Sequence, residues 1–236
     1  MNRLAFALFA VLALIPAAAR AELTRNVSTR NESPRNMMLE IKFGPFFPDV
    51  DKEFAGASPF ADTFGTTNRL MSKVEIDYEF WTRVGILAVG GTVGYTGFSG
   101  KGRLKDGKVS ADDTNFRIVP FSLDLIYRFD YLAQRWNVPL VPYVKTGFDY
   151  YIWWVSNGVG STTARGGVFG AHVTAGLAFL LDSLAPGMAQ TFDVETGVNN
   201  TFLFAEYQVS WVNDFGNGKT IDLSNRSFVA GISFEF

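Results

Sequence analysis

The chain has 236 residues, a formal net charge of −2 and no cysteine. So small a charge offers no basic field for nucleic acid, and the missing cysteine excludes disulfides, thiolate catalysis and thiolate metal sites. Aromatic residues at 15% and 23 glycines favour strands and tight turns in one all-β domain or two smaller units.

Residues 1–21 read as a signal peptide. Arg3 gives the positive start, Leu4 to Ile15 the apolar stretch, Pro16 the break, and Ala19-Arg20-Ala21 the small-x-small cleavage pattern. The apolar stretch is too short to cross about 30 Å of hydrocarbon as a helix, and without a cysteine at the cleavage site lipid attachment is excluded. Mature protein is expected from Glu22. Losing Arg3 and Arg20 takes the net charge from −2 to −4. Residues 22–37 read as a flexible polar leader, and 38–236 as the folded domain. No later segment is apolar for long enough to form a membrane helix.

From Met38 on, the chain breaks into eight runs of period two, the signature of strands. Run one places Leu39, Ile41 and Phe43 against Glu40 and Lys42. Run two alternates most regularly, with Val74, Ile76, Tyr78 and Phe80 against Lys73, Glu75, Asp77 and Glu79. Run three, 84–98, sets Leu87, Val89, Val93 and Tyr95 against alanine, threonine and glycine. Run four, 116–129, sets Val119, Phe121, Leu123, Leu125, Tyr127 and Phe129 against Ser122, Asp124 and Arg128. Run five, 140–153, opposes Val144, Phe148, Tyr150 and Ile152 to Lys145, Gly147 and Asp149. Run six, 168–181, opposes Phe169, Val173 and Leu177 to His172 and Thr174. Run seven, 201–212, opposes Leu203, Tyr207 and Trp211 to Glu206 and Gln208. Run eight ends the sequence, with Phe228, Ile232, Phe234 and Phe236 against Val229, Ser233 and Glu235.

Long polar connections, 49–71, 99–113, 154–167 and 213–227, follow the odd runs and are expected to point outward. The even connections are 82–83, 130–139 and 182–200. The last is expected to hold a short amphipathic helix near Pro186 to Thr196. A soluble barrel with an apolar interior would show the same alternation. Runs four and six, however, carry more bulk on one face than an eight-stranded interior can hold. Aromatic residues also gather at the run ends. Tyr78, Phe80, Trp81, Tyr127, Phe129, Tyr131 and Trp136 are assigned to an inner girdle, and Tyr95, Phe98, Tyr150, Trp153, Trp154 and Trp211 to an outer one. Pro120 would break the ladder of a closed barrel, so a bulge is expected there. The fold expected is an all-β, eight-stranded antiparallel up-and-down transmembrane barrel.

Gly231, Phe234 and Phe236 follow the spacing Gly-x-x-aromatic-x-aromatic at the chain end, with Val229 where a polar residue is usual. This resembles the C-terminal signal of outer-membrane barrels. With the eight runs and the signal peptide, the chain is similar to the small eight-stranded group that includes OmpX, OmpW and the membrane domain of OmpA. The resemblance implies residence in the outer membrane, contact with its lipid and lipopolysaccharide, and recognition by the barrel-assembly machinery through the last strand. The charged interior departs from the hydrophobic lumen of OmpW-type barrels.

Chemistry is sparse. His172-Val173-Thr174 resembles the His-x-Ser of an outer-membrane lipid A deacylase, but threonine replaces serine and parity turns His172 inward. A lone histidine makes no ordinary zinc site. No catalytic, cofactor or metal residue is therefore assigned. Glu40, Lys42, Lys73, Glu75, Asp77, Asp124, Arg128, Lys145, Asp149 and Glu206 are expected to fill the lumen as a salt-bridged network, because unpaired buried charge is expensive. Gly102 to Lys108, a basic stretch, offers contact to lipid phosphates or surface polymers. The function expected is a structural or binding one, including partnership in an envelope complex and no nucleic acid. The alternative is a narrow channel for small solutes or ions, and more distantly a lipid-modifying enzyme.

Overall fold

A computed structural model describes residues 36–103, 109–136, 138–158, 160–218 and 220–236. The segment read as a signal peptide, most of the leader, and Leu104 to Lys108 of the basic stretch lie outside the described residues.

The strands are β1 (Met37–Phe46), β2 (Arg69–Trp81), β3 (Ile86–Arg103), β4 (Val109–Arg128), β5 (Leu140–Asn157), β6 (Thr162–Leu180), β7 (Asn200–Trp211) and β8 (Asn225–Glu235). Each pairs antiparallel with its neighbour in sequence, and β8 returns to β1 with Met38 opposite Glu235 and Phe43 opposite Ala230, closing the barrel. Closure gives every strand two neighbours and leaves no sheet edge to meet lipid. Among the described residues, three short α-helices lie in the connections: α1 (Pro59–Phe64), α2 (Tyr131–Trp136) and α3 (Pro186–Thr196).

The alternation decides which side is which. Along β2, Lys73, Glu75, Asp77 and Glu79 are buried, while Ile76, Tyr78 and Phe80 are exposed. On β4 and β5, Phe121, Leu123, Leu125, Val144 and Phe148 stand 43–68% exposed. An apolar surface of that extent on every wall fits lipid and not water. The polar face is the interior.

Four expectations are corrected. The segments 99–113 and 154–167 are largely strand: β3, β4, β5 and β6 run 18, 20, 18 and 19 residues, against 10 to 13 in the other four. A membrane strand needs about 9–11 residues, so one side of the barrel stands well above the bilayer. Pro120 carries no bulge. Val93 faces Phe121 and Thr96 faces Ile118, so both strands advance three residues with none inserted. Pro120 points inward, buried, and no partner is paired with it on the β3 side. Phe98 and Trp153 do not join the outer girdle, because a loop covers the barrel mouth and both pack beneath it. Finally, α3 forms where expected but is not two-sided. Phe192 and Val194, about 200° apart on a helix, are 41% and 74% exposed.

Candidate functional site

The interior is built in three tiers. In the middle, register sets a problem: Glu40 lies opposite Glu75, and Lys42 opposite Lys73. Like charges facing across a ladder repel, so the pairing goes diagonally and across the lumen. Lys42 bonds Glu75 and lies 3.4 Å from Glu206 and 3.6 Å from Glu40. Lys145, on the far wall, donates to Glu40 and Glu75 at 2.6 Å each. Arg128 donates to Glu40 at 2.9 Å, to Glu79 at 3.3 Å and to Asp77. Tyr143 donates to Glu206 at 2.9 Å. Every one of the ten residues expected in the lumen is buried. Glu79, Tyr143 and Glu235 join them; their parity was visible in the sequence, but their place beyond the central rows was not.

Higher up, His172 sits between two carboxylates. Its Nε2 is 2.8 Å from Asp124 and its Nδ1 3.1 Å from Asp149. A neutral ring can donate to just one of them, whereas an imidazolium serves both. Ser122 donates to Asp149 at 2.5 Å, and the Thr92 hydroxyl lies 2.8 Å from Glu75 and 2.9 Å from Asp124, with one proton to share between them. Lys73 donates to Gln208 at 2.6 Å. Glycine makes room for this tier. A Cβ at Gly147 would collide with the Leu123 carbonyl and press on Asp124 and His172. Glu40, Glu75 and Asp77 bring carboxylate oxygens within 4.8 Å of one another, but lysine and arginine already lie against all three.

The outward end is capped by rings. Phe60 of α1 meets Phe64 at 4.8 Å, Phe98 at 5.1 Å, Phe47 at 5.5 Å and Phe116 at 5.6 Å between centroids. Tyr151, Trp153, Met71, Val212 and Leu223 are among the residues that pack with them. The Asp51 carboxylate holds the start of α1, accepting the N–H of Phe60 at 2.7 Å and of Ala61 at 2.9 Å. Asp49 N–H donates to the Ser224 carbonyl at 3.1 Å, tying the first outward loop to the last. Polar composition hid this cap in the sequence. The signal that could have found it is "SPFADTF", with proline at a helix start and phenylalanines four residues apart.

The end opposite the cap holds a cavity of about 190 Å³ between Met38, Val141, Ala178, Phe202 and Phe204, with Glu40 and Arg128 at its inner wall. A space of about 10 Å³, room for one water, lies beside Lys73 and Gln208 under the cap. The ionic tier separates the two. Beyond the strand ends, burial raises the Asp182 carboxyl above its ordinary value, and the N–H donated by Thr201 at 3.1 Å offsets only part of that rise.

A closed eight-stranded barrel with an apolar belt and a filled, charged lumen is a transmembrane β-barrel of the small outer-membrane class, and the outer membrane is where it resides. No protein-family model and no curated protein matches the chain. Among solved structures it is similar to Neisserial surface protein A, at 14% identity over 88% of this chain and 100% of that one, with a TM-score of 0.49. It is also similar to Ail, the attachment invasion locus protein of Yersinia pestis, in complex with the heparin analogue sucrose octasulfate. There the identity is 13% over 86% and 97% of the two chains, with a TM-score of 0.44. The outer membrane enzyme PagL aligns at 11% identity over 84% and 98%, with a TM-score of 0.41. At such identities the likeness is one of fold and says nothing of activity.

Proposed function

We propose that this protein is a non-catalytic scaffold of the outer membrane, whose outward rim and periplasmic segment contact partners. The observation that carries the reading is the filled lumen. Aromatic rings cap one end, and buried ion pairs span the middle from β1 to β5. A rigid frame sealed in this way leaves its connections to carry function. On the periplasmic side Leu184, Phe192 and Val194 are exposed at 71%, 41% and 74%, more apolar surface than a solvated turn needs. They offer the contact for an envelope partner. The outward aromatic face of β8 supports recognition of that strand by the assembly machinery. Affinity capture from membranes should recover a reproducible partner that L184E/V194E loses. Recovery of the barrel alone, or of the same set by both forms, would count against the reading.

The channel alternative fares poorly against the same geometry. Pure protein in planar bilayers should show no stable single-channel steps, because ions would have to displace both Lys42 and Lys145 from their carboxylates. Regular steps from the wild-type protein would reinstate the channel. The enzyme alternative needs a histidine and a hydroxyl at the lipid face. His172 and Thr174 are instead buried at 3% and 2% exposure inside the barrel. His172→Ala should leave the acylation of lipid A in its host membrane unchanged, and should weaken the fold by stranding Asp124 and Asp149. Altered acylation in that variant would overturn the non-catalytic reading in favour of the enzyme.

A further inference from the structure

The cavity opposite the cap is walled unevenly. Met38, Val141, Ala178, Phe202 and Phe204 give it apolar sides. Its volume of about 190 Å³ exceeds the ~150 Å³ in which a dry apolar cavity takes up benzene. One strand puts polar groups into this space. Ser233 and Glu235, two residues apart on β8, face inward at 2% and 1% exposure. Ser233 lies opposite Glu40 on β1 and Phe202 on β7, and Glu235 lies opposite Met38 and Asn200. A positive group lodged at Ser233 therefore has one carboxylate-bearing position about 5 Å away across the ladder and another about 7 Å away along the strand.

Ser233 has no task in the ionic network. Among the described residues no partner is seen for its hydroxyl, although a buried hydroxyl ordinarily has one. Charge decides what would complete it. Among the described residues, eight buried carboxylates face four buried lysine or arginine side chains and one histidine. The interior is short of positive charge even with His172 protonated. The imbalance recurs in the cavity, whose described lining carries Glu40, Asp130 and Glu235 against Arg128. Arg128 also serves Asp77 and Glu79. A cleft lined by an excess of one sign draws the opposite charge and repels its own.

We propose that this cavity binds a small organic ammonium, a protonated amine carrying one ring or a short branched chain. The Ser233 hydroxyl accepts a hydrogen bond from the ammonium, and Glu40 and Glu235 flank it. The apolar body fills the space between Val141, Ala178, Phe202 and Phe204. A bare cation would leave those walls uncovered, and a hydrocarbon would leave Ser233 without a partner. The ionic tier stays closed behind the site, so the ligand enters and leaves by one mouth. The site is separate from the exposed residues of α3, so loss of the partner contact proposed above would leave it intact.

Methionine-methyl NMR reads the site directly, because Met38 lines the cavity and Met71 lies in the cap cluster at the other end. The probe is phenethylammonium, with phenethyl alcohol and phenylpropanoate as its neutral and anionic counterparts. Each is titrated into the folded barrel in phosphatidylcholine nanodiscs. The ammonium should shift Met38 saturably and leave Met71 in place, which separates occupancy of the cavity from partition into lipid. The alcohol should bind at least about tenfold more weakly, the loss expected for a charge-assisted hydrogen bond, and the anion should not bind. E235Q should weaken the ammonium by a similar factor. A178L, which fills the cavity from its apolar side, should abolish the shift. Absence of a saturable shift at Met38, or an anion bound as tightly as the ammonium, overturns the proposal. That comparison needs no variant and holds even where E235Q or A178L does not fold. A shift that survives A178L unchanged places the amine elsewhere and overturns the proposal as well. Equal affinity for alcohol and ammonium would make the cavity a merely apolar one and overturns the charge assignment.

Discussion

Replacing Arg128 by methionine should cost the folded barrel about 3–5 kcal/mol, the range for removing one partner of a buried ion pair. Methionine keeps the apolar stem, so the loss reports charge and hydrogen bonding more than volume. Arg128 donates to Glu40, Asp77 and Glu79, which arrive from two adjacent strands. All three are at most 4% exposed, so water cannot replace the guanidinium without opening the barrel. The partner should matter as well: R128M/D77N removes a stranded charge and should recover part of the loss. Urea unfolding in lipid vesicles measures both, with heat-modifiable gel migration as the check on folding. The Lys52–Asp49 pair is the contrast. Its lysine side chain is 71% exposed, and Lys52→Ala should cost below about 1 kcal/mol. A loss for Arg128→Met as small as that would mean that the lumen is wet and the charges independent.

The lumen was legible where the sequence writes charge at every second position. Lys73 to Glu79 announces one face of β2, and parity then assigns Lys145, Asp149 and Glu206 to the same interior. Parity names a face but not a direction around the barrel. That Lys145 reaches Glu40, 105 residues away, follows from closure, because β5 lies across from β1. The strand ends were less legible. In "TTARGG" and "GKGR" no large apolar side chain marks the alternation, so Arg165 read as loop although it continues β6. The girdle assignments of Phe98 and Trp153 failed for a related reason. A ring near a strand end faces lipid or lumen according to what covers the mouth, and α1 comes from a segment whose composition is polar. Pro120 was read as a flaw needing a bulge. The barrel instead turns it inward and leaves the β3 ladder open beside it.

Phe60→Ala should open the outward cap, at a cost of about 3–5 kcal/mol for a buried ring removed from a packed cluster. Phe60 is 6% exposed and its ring meets four others. Phe64 cannot fill the gap, because it belongs to the same short helix and moves with it. The helix itself is poorly able to stand alone: six residues fall well short of the length at which isolated helices persist. It depends on the cluster and on the Asp51 carboxylate at its start. Asp51→Ala should therefore act in the same direction but more weakly, by about 1 kcal/mol, as for a lost helix cap. Both variants should become open to external protease between residues 49 and 68 while the strands stay protected. Neither should conduct ions, since Lys42, Lys145 and Arg128 still fill the lumen below. Protease resistance equal to wild type in Phe60→Ala would show that the rim does not hang on this ring. Conductance in that variant would show that the aromatic cap, and not the ionic tier, is what seals the barrel.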